Sequence, residues 1–153
     1  MGAAVSPGDR ISTDEHSKVK LLLVDDSVLA IGPQSQVIID ELALRTESRT
    51  GRLRVLAGRF KLAIAEWLGG RSDYEVQMPT AVAGVRGTVL WGDTQLDTIC
   101  ALRGTVEVRT LAGTRVATLD RGHCETQMGS GHSKPLTPSR EDLDKYLREV
   151  TLE

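Results

Sequence analysis

Pro79-Thr80-Ala81-Val82-Ala83-Gly84-Val85-Arg86-Gly87-Thr88 joins a proline stop, an apolar alternation and an Arg-Gly-Thr end. On a strand, Ala81, Ala83 and Val85 line one face and Thr80, Val82 and Gly84 the other, which predicts a β-strand with an exit turn at Arg86-Gly87-Thr88. No acid–base or nucleophile pair lies inside the stretch. It speaks for architecture before chemistry.

Working outward, the same alternation recurs in Val19–Val24, Gln36–Asp40, Arg52–Val55, Tyr74–Met78 and Thr105–Arg109. Glycine and proline punctuate these runs at Pro7-Gly8, Gly32-Pro33, Gly69-Gly70, Ala112-Gly113 and Arg121-Gly122, the spacing of short strands joined by tight turns. Arg59–Leu68 fits either period, and its context favours a strand followed by a loop at Gly69–Asp73. Gly87-Thr88-Val89 and Gly104-Thr105-Val106 repeat one another, which hints at a coil-like β repeat. The expected class is all-β: many short strands in a sandwich, barrel or solenoid-like module, with a short C-terminal helix. Residues 1–128 form the β domain, 129–138 a Gly/Ser/Pro connector and 139–151 the helix. Ser139 stands three residues before Asp142 at the helix start, and Leu143, Tyr146, Leu147 and Val150 fall on one stripe. That stripe is expected to dock on the module's own sheet; the alternative is a helix that reaches a second protein.

Pro79–Thr88 resembles the signature of the FecR domain family, a Thr-Pro-x-Ala-x-x-x-Val-Arg-Gly-Thr run. Gly8-Asp9-Arg10-Ile11-Ser12-Thr13 is similar to the family's opening, Asp25-Asp26-Ser27 to its Asp-Gly-Ser turn, and Leu102–Val108 to its closing Gly-x-Val strand. The resemblance spans residues 8 to 127. Met78 stands where the family carries Thr, and Asp26 where it carries the turn glycine; aspartate tolerates positive φ better than most residues, so the turn is expected to survive. The resemblance implies that Pro79, Ala81, Gly87, Thr88 and Gly104 maintain the fold. Arg86 has two readings. Its guanidinium either holds the strand exit by bonding turn carbonyls or a carboxylate, or offers a fork to a partner.

Nineteen Lys and Arg against twenty-one Asp and Glu give a net charge of -2, with no basic footprint for a phosphate backbone. At 3% aromatic residues, base-stacking platforms are missing as well. Nucleic-acid binding is disfavoured. Apolar runs such as Leu21–Val24 are short, far below the roughly 20 residues of a spanning helix, so no membrane span is expected in this chain. Met1–Val5 lacks the charged and apolar regions of a secretory signal, which predicts either an intracellular chain or one whose leader has been removed. The resemblance favours the second, because FecR domains face the periplasm or cell envelope.

Cys100 and Cys124 are the only cysteines; they are either two buried small hydrophobes or a single bridge. With His123 and His132 they make a poor metal set, because no close-spaced ligand pair supports it and neighbours on a strand point to opposite faces. Asp25, Asp26, Asp93 and Asp97 read as turn formers rather than calcium ligands. No Gly-x-Ser-x-Gly elbow and no P-loop lysine occurs, so no cofactor and no enzyme activity is expected.

The expected function is a non-enzymatic cell-envelope module that mediates protein–protein contacts in signal relay or scaffolding. By resemblance, longer relatives join such a domain through a membrane helix to a cytoplasmic anti-sigma segment and take a signal from a TonB-dependent outer-membrane receptor. That helix and segment are expected to lie outside this chain. The alternatives are a secreted glycan- or peptidoglycan-binding protein, which needs Trp67, Trp91, Tyr74 or Tyr146 clustered and exposed, and a self-assembling β structural protein.

Overall fold

The computed structural model describes residues 6–23, 25–65, 71–126 and 134–136, together with Arg140, Glu141 and Asp144. Among the described residues the chain is almost entirely strand. In order these are β1 (Arg10–Ser12), β2 (Val19–Leu22), β3 (Val28–Ile31), β4 (Gln36–Leu44), β5 (Ser48–Ala57), β6 (Arg59–Ala63), β7 (Arg71–Gln77), β8 (Ala81–Asp93), β9 (Thr98–Thr110), β10 (Arg115–Leu119), β11 (Cys124–Thr126) and β12 (Lys134–Leu136). The expected helix over 139–151 lies almost wholly outside the described residues, as does the connector on either side of β12.

All twelve strands belong to one curled sheet. Its spine is the long antiparallel hairpin β8–β9, which is shared by two wings. The first wing pairs Ala81–Arg86 of β8 with Thr105–Thr110 of β9 and carries β7, β5, β4 and β1 on one side and β10 on the other. The second pairs Val89–Asp93 with Thr98–Arg103 and carries β6, β3 and β2 on one side and β11 and β12 on the other. Among the described strands only β5 and β7 run parallel; the crossover between them takes β6 into the second wing, because a parallel pair cannot be closed by a tight turn.

The wings face each other across one apolar core. Val37, Ile39, Leu53, Val76, Val85 and Val106 come from the first, and Leu29, Ile31, Phe60, Leu62, Leu90 and Ile99 from the second. The strand alternation read from the sequence is what fills it; β6 is extended as read over Arg59–Ala63, residues 66–70 lie outside the described residues, and Arg71–Asp73, read as loop, open β7. The opening stretch needs a correction. Arg86-Gly87-Thr88 is not an exit turn: β8 runs on to Asp93. The three residues are a crease within the strand. The Gly-Thr-Val repeat is likewise no stack of coils, since Arg86 pairs directly with Thr105 and the two copies oppose each other in one hairpin.

At the crease Arg86 pairs with Thr105 and Val89 with Arg103, so Gly87 and Thr88 oppose Gly104 alone; Leu90 then pairs with Ala101, which leaves Leu102 as an extra residue on β9. Two bulges, one on each strand, bend the hairpin between the wings. Gly104 takes a φ of 75° there, a left-handed conformation that costs a side-chain-bearing residue. Each bulge also shifts the alternation. On β8 the core residues are Ala81, Ala83 and Val85 before the crease and Leu90 after it, and on β9 Ile99 and Ala101 before it and Val106 and Val108 after.

Candidate site at the crease

Hydrogen bonding joins the wings at both ends of the core. Far from the crease, the Thr80 hydroxyl donates to Asp97 and so ties the start of β8 to the turn beyond its end. Gly58 N–H donates to Thr94 Oγ1 at 2.8 Å, and Thr94 N–H returns a bond to the Gly58 carbonyl at 3.0 Å. Asp93 accepts the backbone N–H groups of Gln95 and Leu96 at 2.8 and 3.2 Å and pairs with Arg59 at 3.1 Å. Asp93 and Asp97 are therefore turn residues, in keeping with their sequence reading.

Nearest the crease is a buried ionic network. Arg49 on β5 and Asp25, in the turn before β3, pair at 3.2 Å with only 2% and 3% of their side chains exposed. Arg49 also donates to Ser72 Oγ at 2.8 Å and to the Ala65 carbonyl. Asp25 accepts the Tyr74 hydroxyl on β7, together with the N–H and hydroxyl of Ser27 at 3.1 and 3.0 Å. Ser27 Oγ in turn accepts Ala65 N–H at 3.0 Å. Asp25, Ser27 and Ala65 belong to the second wing, and Arg49, Ser72 and Tyr74 to the first. Burial raises the Tyr74 phenol well above its ordinary value, and donation to the Asp25 carboxylate, with that group's charge, raises it further. Asp26 has a φ of 70°, so aspartate fills the glycine position of the turn as expected.

Within the signature, Pro79 stands in the turn where Met78 N–H bonds the Ala81 carbonyl at 2.8 Å. Ala81 and Met78 are core residues, which gives the Met78 departure an apolar role. Thr88, 1% exposed, donates to the Thr105 carbonyl at 3.1 Å, while its own carbonyl accepts Ile64 N–H at 2.9 Å. Thr88 thus secures β6 and β9 to the bend. Arg86 and Gly87 are placed in β8 by their backbone; their side chains lie outside the described residues.

Beside the crease, on the first wing, a half-open depression of about 590 Å³ is lined by Asp73, Tyr74, Gly84, Gly104, Thr105, Glu107 and Arg109 among others. Gly84 and Gly104 leave backbone rather than side chain on its floor. Arg109 lies 3.5 Å from Glu75 and 3.4 Å from Glu107, and a Cβ on Gly84 would stand 3.0 Å from its guanidinium. The lining mixes apolar surface with the charged side chains of Asp73, Glu107 and Arg109.

Cys100 and Cys124 oppose each other on β9 and β11 and are joined in a disulfide, with both residues fully buried. Of the two readings open in the sequence, the bridge is the one formed. Among the described residues no three His, Cys, Asp or Glu side chains gather as metal ligands, and no helix is long and apolar enough to cross a membrane. Tyr74 and Trp91 are buried in separate places, which counts against an aromatic sugar platform built on them; Trp67 and Tyr146 lie outside the described residues.

A family model described as FecR protein matches residues 9–114. Two solved structures of a candidate anti-sigma factor from Parabacteroides distasonis ATCC 8503, at 1.65 and 2.50 Å resolution, share the fold with TM-scores of 0.71 and 0.70 at 14% identity. Each comparison covers 91% of this chain but 64% of the other, so the chain spans less than two thirds of those proteins. No curated protein is matched.

Proposed function

Because the chain belongs to the FecR protein family, whose model matches residues 9–114, we propose that it is a non-enzymatic module of cell-envelope signalling. It acts by protein–protein contact at the depression beside the crease. The observation that carries this reading is the half-open depression, lined by Gly84, Gly104 and the charged Asp73, Glu107 and Arg109, next to the Arg86-Gly87-Thr88 bend. The anti-sigma description of the structural neighbours supports a place in signal relay. The buried Cys100–Cys124 bridge supports an oxidising compartment such as the periplasm. The partner is an envelope protein or receptor, and Arg86 is the first residue of the signature to test as its contact.

Thr105→Arg fills the depression from an exposed strand position, and Arg86→Ala removes the guanidinium of the signature arginine. Both are compared with the unmodified chain for thermal unfolding and for retention of proteins captured from the native envelope. Expected for Thr105→Arg is an unfolding midpoint close to the parent's with loss of a captured partner, since substitutions at exposed sites usually shift stability by no more than about 0.5 kcal/mol. For Arg86→Ala, a retained partner with a lowered midpoint assigns the arginine to the fold. Full retention of every partner by the folded Thr105→Arg chain refutes the depression as the contact surface.

A further inference from the structure

Among the described strands, β1, β2, β10 and β12 each have a single partner and so a free side. Three of them are blunted in ways that discourage a further strand. β1 has three residues, β10 carries a bulge between Arg115 and Ala117, and β12 has three residues with Pro135 at its centre. β2 is different. Its four residues Val19–Leu22 lie opposite Val28–Ile31 in unbroken register, and Lys20 is its one charge.

The backbone of β2 is set to accept a neighbour. Leu23 N–H donates to the Ser27 carbonyl at 2.8 Å and the Leu23 carbonyl accepts Asp26 N–H at 3.0 Å, so both groups of Leu23 turn toward β3. In an antiparallel ladder that direction reverses with each residue, which turns the N–H and C=O of Leu22, and two residues earlier those of Lys20, to the free side of the sheet. The side chains are open there as well. Leu22 is 69% exposed and Lys20 is exposed, both on the outer face, while Val19 and Leu21 pack on the main core and are still only half-buried. Lys20 pairs with Ala30, and Ala30 with Lys61, so two lysines share one row of the outer face. Among the described residues neither is in an ion pair. A second copy of this chain, paired through the same edge, would add its own two lysines to that face.

We infer that β2 is a docking edge for an extended segment of another protein, which adds antiparallel to it as a strand and brings an acidic side chain opposite Lys20 and apolar ones opposite Leu21 and Leu22. The added strand satisfies the four outward backbone groups of Lys20 and Leu22, covers Leu22 on the outer face and completes the burial of Leu21 on the inner one. Main-chain bonds supply the affinity, and Lys20 supplies the choice. This edge belongs to the second wing, so its test is independent of the depression on the first.

The experiment uses the full isotope-labelled chain and the peptide acetyl-Ser-Val-Val-Glu-Val-Ser-amide. Expected are shifted amide resonances and slowed hydrogen exchange at Lys20 and Leu22, whose N–H groups gain acceptors. Lysine in place of the peptide's glutamate is expected to weaken binding about fivefold, because a like charge replaces an opposite one across a strand pair. N-methylation of that glutamate removes the donor that faces Lys20 and is expected to abolish the protection. Lys20→Glu should reverse the preference between the acidic and basic peptides. Lys20 and Leu22 amides that stay unchanged at the highest peptide concentration overturn the proposal, as does equal binding by the N-methylated peptide; both readings are made on the unmodified chain and do not depend on the variant. Protection that rises with chain concentration in the absence of peptide assigns the edge to a second copy and overturns it too.

Discussion

At the scale of single residues, Asp25, Arg49 and Tyr74 carry the largest risk, because each is a polar group sealed into the junction between the wings. Removing one member of a buried ion pair strands the other charge, so Arg49→Met is expected to cost about 3–5 kcal/mol in chemical denaturation. Tyr74→Phe loses one hydrogen bond to a carboxylate and is expected to cost about 1.5–3 kcal/mol. The phenol also sets a pH limit. Below about pH 10 it is protonated in folded and unfolded chains alike. Above that, the unfolded chain releases its proton while the buried phenol holds its own, so stability falls as pH rises. Tyr74→Phe should flatten that alkaline decline in urea titrations at pH 8 to 11; an unchanged slope excludes Tyr74 as its source. The sequence made Asp25 visible only as a turn former. Its partners stand far away in the chain and on alternating strands, where Arg49 looks like any solvated arginine, and no local period marks a residue that a crossover will bury.

At the scale of elements, the bent hairpin β8–β9 is where sequence reading and structure part. The alternation of Ala81, Ala83 and Val85 was legible because it follows the period of a strand, and so were the runs that became β2, β4, β5, β7 and β9. The second half of β8 was not, because the bulge at Gly87-Thr88 breaks that period and makes a continuing strand look finished. The disulfide was hidden for a related reason: strand β11 is three residues long, too short for alternation to register Cys124 opposite Cys100. Gly104→Ala is expected to cost about 1–2 kcal/mol, since a Cβ is disfavoured at its left-handed φ of 75°. Thr88→Val keeps the shape of the side chain while it removes the bond to Thr105, for a loss of about 1 kcal/mol. Cys100→Ala with Cys124→Ala opens a link across 24 positions and is expected to lower stability by about 3 kcal/mol. Reductant should lower the melting temperature of the parent and leave the double variant unmoved.

At the scale of the whole molecule, neither wing owns the strands it is built on. The expectation that follows is a single unfolding transition, in which backbone signals from the first wing and a Trp91 signal from the second coincide in denaturant. Separated midpoints would mean that the crease is a hinge between two independent units. The crease has one more consequence. Because a strand shows its two faces by turns, the chain keeps a running parity of inside and outside, and Gly87-Thr88 against Gly104 is where that parity is reset. Deleting one residue there would leave the first wing as it is and turn the rest of β8 inside out, with Trp91 sent into the core and Leu90 to the surface. The signature is in this sense a frame marker, and its length is as binding as its letters.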